Sequence, residues 1–330
     1  MILFLLYYAL IALVLFFVLP DAVCFAEQWH TFYWDAAHCR EVIADQGLWS
    51  LISDFFTQFL ATRWSASLLI ALPTALMACL VQSLLRQACR RRWPAARPLW
   101  AQLTAVCLTL AGCVLMLWPD EGDRFKGQMC LVADEDWPTI ISQSEGRTVS
   151  NLLEQNILNM ALAEMELLPI RIKQQPCRDV NSLFVLEISS PYVAALLADV
   201  YWTMGEISMS QMYAFEANEK MQDLSPRLLK RLALTNIVFG HYEVARKYLR
   251  WLDKTLFYSD WAQHYITMLD DEAVMNDPVL RLKRGCIPLE NVFPSAQSVA
   301  YDMQQIIEHN PEHHASAQYL DALKKIYNMN

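Results

Sequence analysis

Three long apolar runs place the strongest limit on how this chain of 330 residues can fold. Residues 2–19, 65–85 and 99–118 contain no Asp, Glu, Lys or Arg, and each is about long enough to cross roughly 30 Å of hydrocarbon as a helix. No Lys or Arg precedes the first run and no small-residue cleavage site follows it, which favours an uncleaved span over a signal peptide. The runs therefore predict a membrane domain over residues 1–119 with three transmembrane helices.

The placement of arginine predicts how these helices are oriented. The loop after the second run, residues 86–98, holds five arginines, whereas residues 21–64 hold two arginines and six carboxylates. Under the positive-inside rule, the arginine-rich loop is cytoplasmic. The N-terminus is then also cytoplasmic, and residues 21–64 and 120–330 lie outside, as expected for a protein integral to the inner membrane. An RNA-binding patch is the alternative, but the cluster lies tightly between two spans, which favours the topology signal.

The outer loop, residues 21–64, has a helical pattern of its own. Apolar side chains recur at helical spacing with polar residues opposite them, at Leu48, Leu51, Ile52, Phe55, Phe56, Phe59 and Leu60. We expect this amphipathic helix, over residues 47–64, to lie on the membrane surface or to pack against the spans. Residues 27–46 predict a second helix in the same loop.

The remaining residues, 120–330, have the composition of an acidic, water-soluble domain. Residues 1–119 hold seven Arg and no Lys against six Asp and Glu, a net charge of +1. Residues 120–330 hold 19 Lys and Arg against 29 Asp and Glu, a net charge of −10. An acidic domain repels phosphate groups, so no nucleic-acid partner is expected.

A repeated pattern predicts how the acidic domain folds. When Gly205 is aligned with Gly240, "VAALLADVYWTMGEISMSQMYAFEA" matches "LLKRLALTNIVFGHYEVARKYLRWL" at an offset of 35 residues, close to the 34 of a tetratricopeptide repeat. Each glycine is expected to end a first helix in a left-handed cap, which makes both structural turn residues. The predicted fold is all-α, with the three transmembrane helices followed by an extracytoplasmic, tetratricopeptide-like α-solenoid over residues 120–330. A generic α-hairpin domain is the alternative.

Several stretches also resemble a known family. They are "GLWSLISDFFTQFL", "DWPTIISQ", "NILNMALAEMELL", "SLFVLEISSPYVAALLADVYWTMGEISMSQMYAFEA", "SPRLLKRLALTNIVFGHYEVARKYLRWLDKTLFYSDWA" and "IEHNPEHHASAQYLDAL". Their order and spacing resemble an uncharacterised, Bacteroidales-type family of multi-span membrane proteins with a C-terminal tetratricopeptide-like domain. The chain departs from that pattern by having three predicted spans where more are expected and by stopping soon after the last helix. Because the family has no established activity, the resemblance implies architecture and little function.

Motifs for metal or cofactor binding are scarce in this sequence. His309 and His313 have the spacing of a metal pair on a helix, but Pro311 between them predicts a loop. The sequence contains no glycine-rich phosphate loop, Walker motif or serine elbow. No metal, cofactor or catalytic residue is therefore expected.

The nine cysteines show neither a C-x-x-C pair nor zinc-ligand spacing. The predicted topology exposes five of them to an oxidising compartment, where disulfides can form: Cys24, Cys39, Cys130, Cys177 and Cys286. Because five is an odd number, at least one of these cysteines would stay unpaired, and we expect no disulfide.

The sequence favours a membrane-anchored scaffold, attached to the lipid bilayer, that binds an envelope protein or peptide. Such solenoids bind partners along their concave side, which is lined by the first helix of each hairpin. The corresponding groove positions are Tyr192, Asp199, Trp202, Arg227 and Lys230, and ordinary helix packing is the alternative for each one. A second hypothesis is a non-catalytic or truncated subunit of an envelope glycan- or lipid-processing or transport complex. The predicted spans contain no Asp, Glu, Lys or His that would mark an intramembrane site, which weakens that hypothesis.

Overall fold

A computed structural model describes residues 2–92, 107, 111–112, 121–172, 179–221, 224–287 and 296–329. The regular secondary structure in these residues is entirely helical, as predicted. Within them, β-type pairing is confined to one isolated bridge between Tyr33 and Thr255. The third predicted span, over residues 99–118, and the arginine-rich loop beyond Arg92 lie almost entirely outside the described residues.

The described helices fall into two groups along the chain. Those of the first 92 residues are α1 Ile2–Val18, α2 Ala36–Asp45, α3 Leu48–Thr57 and α4 Arg63–Arg92. Those that follow are α5 Glu121–Ala133, α6 Trp137–Ser144, α7 Leu152–Glu164, α8 Leu168–Arg171, α9 Pro191–Met204, α10 Ile207–Met221, α11 Pro226–Val238, α12 Tyr242–Asp253, α13 Ser259–Ile266, α14 Asp271–Asn276, α15 Pro278–Arg284, α16 Ala296–His309 and α17 His314–Met329.

Helices α1 and α4 pack against each other through small and aliphatic side chains. Ile11 and Leu15 of α1 and Ala71 and Ala75 of α4 are buried in this contact. Their outward faces are apolar as well, with leucines and aromatic residues exposed. Small residues between helices and large apolar residues outside are typical of helices that face lipid.

The structure supports fewer spans than the sequence predicts. Within the described residues, one helix, Arg63–Leu84, is long and apolar enough to cross a membrane. The second candidate span consists of two segments, Phe4–Val18 and Asp21–Trp29, which are bent by 91° relative to each other and would have to act as one broken span. The prediction of three transmembrane helices is therefore not supported, since the described residues offer one candidate or at most two.

Two helical hairpins, α9–α10 and α11–α12, follow from local signals that recur 35 residues apart. Ser190 and Ser225 cap α9 and α11, each accepting a hydrogen bond of 3.3 Å from the backbone N–H three residues on, and a proline follows each serine. At the other end, Gly205 has a φ of 86° and Gly240 a φ of 77°. These left-handed conformations favour glycine and let the chain reverse into the second helix.

Residues 21–35, named here the strap, leave the end of α1 and pack against the second group of helices. The strap forms two short 3-10 turns, Asp21–Phe25 and Glu27–Trp29, before α2 begins. The helix predicted over residues 27–46 is therefore wrong for its first half, where only the second of these turns is helical. Phe25 and Trp29 of the strap are buried in the main core, which they share with α5, α7 and α9. Packing therefore crosses the domain boundary predicted at residue 119.

A disulfide joins the strap to α5, contrary to the expectation that none forms. Cys24 and Cys130 are bonded, with 6.3 Å between their Cα atoms and 106 residues between them in sequence. Among the described cysteines, Cys39, Cys79, Cys107 and Cys286 are free thiols. Spacing failed to reveal the pair because the two cysteines meet only when the strap docks.

Candidate binding cavity

A cavity of about 520 Å³ lies between the strap and the helical hairpins. Its walls come from the strap, the turn before α4, the end of α5, and helices α9, α11, α13 and α15. Four of the five predicted groove residues line it, namely Asp199, Trp202, Arg227 and Lys230. Aromatic side chains that the repeat pattern did not identify complete the wall: Phe257, Tyr258, Trp261 and Tyr265.

Tyr192, the fifth predicted groove residue, lies outside the cavity. Its ring contacts Phe25 at 5.3 Å and Trp29 at 5.0 Å between centroids, both from the strap. The predicted groove is therefore covered at this end by a segment of the same chain.

A buried ion-pair network forms one wall of the cavity. The Asp199 carboxylate lies 2.5 Å from Arg227 of α11 and 2.7 Å from Arg231 one turn further on. Although burial raises its pKa, the two guanidinium groups hold the pKa of Asp199 below the ordinary value for aspartate. The Arg231 guanidinium also stacks over the Trp202 ring at 4.5 Å.

Arg227 also connects this wall to the strap and to α5. Its guanidinium donates to the Gln28 side-chain carbonyl at 2.6 Å and to the Met129 backbone carbonyl at 2.7 Å. Asp199 and Arg227 were predicted as possible groove residues for a partner, and that role stays a prediction. Both are buried, and their charges are matched within the chain.

Lys230 is the predicted residue that remains open to the cavity. Its ammonium lies over the rings of Tyr258 and Trp261, at 5.2 and 5.1 Å from their centroids. Within the described residues, no hydrogen bond or ion pair to this ammonium is found. Burial lowers the pKa of Lys230 below its ordinary value, although the charges of Asp134 and Glu27 act in the opposite direction.

Carboxylates that the sequence did not single out lie near Lys230. The Glu27 carboxylate, from the strap, accepts a hydrogen bond of 2.7 Å from the Tyr258 hydroxyl. Burial raises the pKa of Glu27 to about 7 and also raises the pKa of Asp134. Because Glu27 lies some 200 residues from Lys230 in the sequence, no local pattern reveals that the two share a cavity.

A smaller cavity of about 370 Å³ adjoins the first and shares Asp199, Trp202 and Arg231 with it. At its edge, His313 Nε2 lies 2.9 Å from Lys283 Nζ. His313 Nδ1 lies 2.6 Å from the Ser316 hydroxyl and accepts from the Ser316 backbone N–H at 3.4 Å. That hydroxyl donates to the Met204 carbonyl at 2.6 Å.

Burial, reinforced by the Lys283 charge, lowers the pKa of His313 to about 2 and keeps the ring neutral. The bonds among Lys283, His313 and Ser316 tie the end of α9 to α15 and α17.

The structure does not support a metal site formed by His309 and His313. His309 ends α16, His313 lies in the loop before α17, and the His309 ring bonds to the Gln305 carbonyl. In the part of the chain that the structure describes, no group of three or more His, Cys, Asp or Glu residues could hold a metal ion.

Fold and cavity together define an all-helical protein whose apolar helical pair is joined by a disulfide-linked strap to a body of helical hairpins. The sequence matches a family of unknown function, DUF6057, over residues 1–121 and 118–324, and the chain belongs to this family. No curated protein and no solved structure matches it.

Proposed function

We propose that this protein is a membrane-anchored scaffold, integral to the inner membrane, whose tetratricopeptide-like hairpin domain lies outside the cytoplasm and binds a segment of an envelope protein. The observation that carries this proposal is the strap, which consists of two short 3-10 turns followed by the non-helical residues 30–35 and lies across the hairpins. Ser225 donates to the Gln28 backbone carbonyl at 2.7 Å, and Thr31 donates to the Leu224 carbonyl. A surface that holds one such segment through bonds between hydroxyl side chains and backbone carbonyls has the chemistry to hold another.

The cavity beneath the strap supports the same proposal. The strap covers the hairpins beside Tyr192 but leaves about 520 Å³ beside Lys230, Tyr258 and Trp261. A pocket of this size, with aromatic walls and a few polar groups, is typical of ligand sites. Aromatic and cationic side chains of this kind also dominate the binding energy of protein interfaces.

The disulfide supports the extracytoplasmic placement. A bond between Cys24 and Cys130 persists in an oxidising compartment and is rare in the cytoplasm. The positive-inside rule, applied to the arginines that follow the apolar part of α4, supports the same placement together with the further span predicted over residues 99–118, which lies almost entirely outside the described residues.

The repeat register supports the tetratricopeptide-like assignment. The capping serine, the following proline and the positive-φ glycine each recur at an offset of 35 residues. In addition, the Ser210 hydroxyl and the Ala245 methyl, both buried, occupy the same repeat position at the contact between the two helices of their hairpins.

Two experiments test this proposal. A reporter active only outside the cytoplasm should be active when fused after Asn330 and silent when fused after Arg92, and the reverse pattern would reject the topology. A photo-crosslinking amino acid at Trp261, in the cavity wall, should capture a discrete partner in native membranes. The same group at Met275, which is exposed and does not line the cavity, is the control. Equal capture from both positions, or none from Trp261, would reject the binding role.

A further inference from the structure

Among the described residues, the Lys230 ammonium lines the cavity without a hydrogen-bond or ion-pair partner. Lys254 provides a comparison, because its ammonium also lies over two aromatic rings, those of Tyr33 and Trp251, at 5.4 and 5.3 Å. Lys254, however, is ion-paired with Asp35 at 3.6 Å, whereas Lys230 has no such partner among the described residues. An ammonium has three donors, so Lys230 offers a ligand an anchoring point for an acceptor group.

The charges around Lys230 restrict what that acceptor can be. Arg227 and Arg231 are already bound to Asp199, and the carboxylates of Glu27, Asp134 and Glu135 also line the cavity. A dianionic phosphate would meet these carboxylates with little free positive charge to offset them. A ligand with a single negative charge next to hydrogen-bond donors can place its charge on the Lys230 ammonium and its donors on the carboxylates.

We propose that the cavity binds the carboxyl-terminal residue of a peptide, with its carboxylate on the Lys230 ammonium and its aromatic or large apolar side chain against Tyr258 and Trp261. The amide N–H of that residue then has an acceptor in Asp134. A cavity of about 520 Å³ accommodates one or two residues and excludes a folded segment. This inference rests on the proposed function and specifies which part of the partner enters the cavity.

Fluorine NMR on the full-length protein in lipid nanodiscs tests this inference. The protein is labelled with 5-fluorotryptophan, and the Trp261 resonance is assigned by its loss in Trp261→Phe. The probes are N-acetylphenylalanine and its carboxamide, which differ only in the charged carboxylate. The acid should shift the Trp261 resonance saturably, with an affinity about tenfold higher than that of the carboxamide, because the charge-assisted bond to Lys230 is lost in the latter.

Variants of the two comparable lysines separate charge recognition from structural damage. Lys230→Gln should abolish the preference for the acid, and Lys230→Arg should retain part of it. Lys254→Gln, which removes an equivalent aromatic-stacked lysine outside the cavity, should leave the preference unchanged. Equal affinity for acid and carboxamide in the parent protein, or no shift with either, would overturn the inference.

Two further outcomes distinguish the alternatives. If nanodiscs containing phosphatidylglycerol shift the Trp261 resonance relative to neutral nanodiscs while the acid does not, the ligand is a lipid headgroup and the inference is wrong. If photo-crosslinking at Trp261 captures a partner equally well in Lys230→Gln, the inference fails while the proposed scaffold role stands.

Discussion

The carboxylate of Asp199 and the guanidinium of Arg227 are 2.5 Å apart, both are buried, and the pair joins α9 to α11. Through Arg227 the contact extends to Gln28 of the strap and to the Met129 carbonyl of α5. One ion pair thus connects the first helices of both hairpins to the segment that leads to the apolar helices. Removing one partner leaves the other as a buried, uncompensated charge, which costs more than the pair itself contributes.

Replacing Asp199 should therefore destabilise the protein strongly. Asp199→Ala leaves Arg227 and Arg231 without their shared anion, and we expect a loss of about 3–5 kcal/mol in the free energy of unfolding. Urea unfolding of the full-length protein in detergent measures this loss. Glu216→Ala, which breaks the exposed pair with Lys220, is the control and should change stability by less than about 0.5 kcal/mol. Similar urea midpoints for the two variants would contradict the role assigned to Asp199.

The two hairpin glycines should differ in their sensitivity to alanine. Both have positive φ, so either substitution introduces backbone strain of about 1 kcal/mol or more. A Cβ at Gly240 meets nothing nearer than 3.8 Å, but a Cβ at Gly205 lies 3.1 Å from Cys286 Sγ, His313 and Ser316. Gly205→Ala should thus lower the thermal midpoint more than Gly240→Ala. The opposite order would show that packing at the α9 turn is looser than these contacts indicate.

The disulfide should be detectable in native membranes and should contribute to stability. Peptide mass spectrometry without reductant should recover Cys24 linked to Cys130, and Cys24→Ser should lower the free energy of unfolding by about 2–4 kcal/mol, because the bond closes a long loop. Cys39→Ser, which removes a free thiol, is the control and should have little effect. Alkylation of Cys24 and Cys130 without prior reduction would exclude the pairing and weaken the extracytoplasmic assignment.

Stability should fall as pH rises from about 6.5 to 8. Burial raises the pKa of Glu27 to about 7 and that of Glu206 to about 8, from an ordinary 4.5. The folded state thus retains protons that the unfolded chain releases, and the stability present at low pH is lost as pH passes through those values. His313, with its lowered pKa, opposes this trend only below its ordinary value of 6.5.

Together, the two glutamates should cost about 2 kcal/mol across that window, which thermal unfolding at a series of pH values measures. Glu206→Gln should flatten the decline, since glutamine cannot lose a proton. The exposed Glu216→Gln should leave the slope as in the parent protein. An unchanged slope in Glu206→Gln would show that this carboxyl does not titrate as its burial requires.

Local sequence signals predicted the elements of this protein well wherever the decisive interaction lies within one turn of chain. The repeat that aligns Gly205 with Gly240 located both hairpins, because the positive φ that ends each first helix is a local property of the glycine. Length and hydropathy likewise identified the apolar helix within α4, and helical spacing identified α3. The repeat alignment also predicted four groove residues that line one cavity, since these residues lie on one face of neighbouring helices.

Tertiary structure alone decided what fills the groove. A helix was predicted from residue 27 onward, yet residues 30–35 form none, because this part of the strap pairs with distant residues instead, through the Tyr33–Thr255 bridge and the bond from the Thr31 hydroxyl to the Leu224 carbonyl. The Cys24–Cys130 bond and the Glu27–Tyr258 contact each join residues more than 100 positions apart. No short window of sequence contains both partners of such a contact. The chain by itself therefore determined its helices and turns, and only packing determined which charges are matched and which remain open to a ligand.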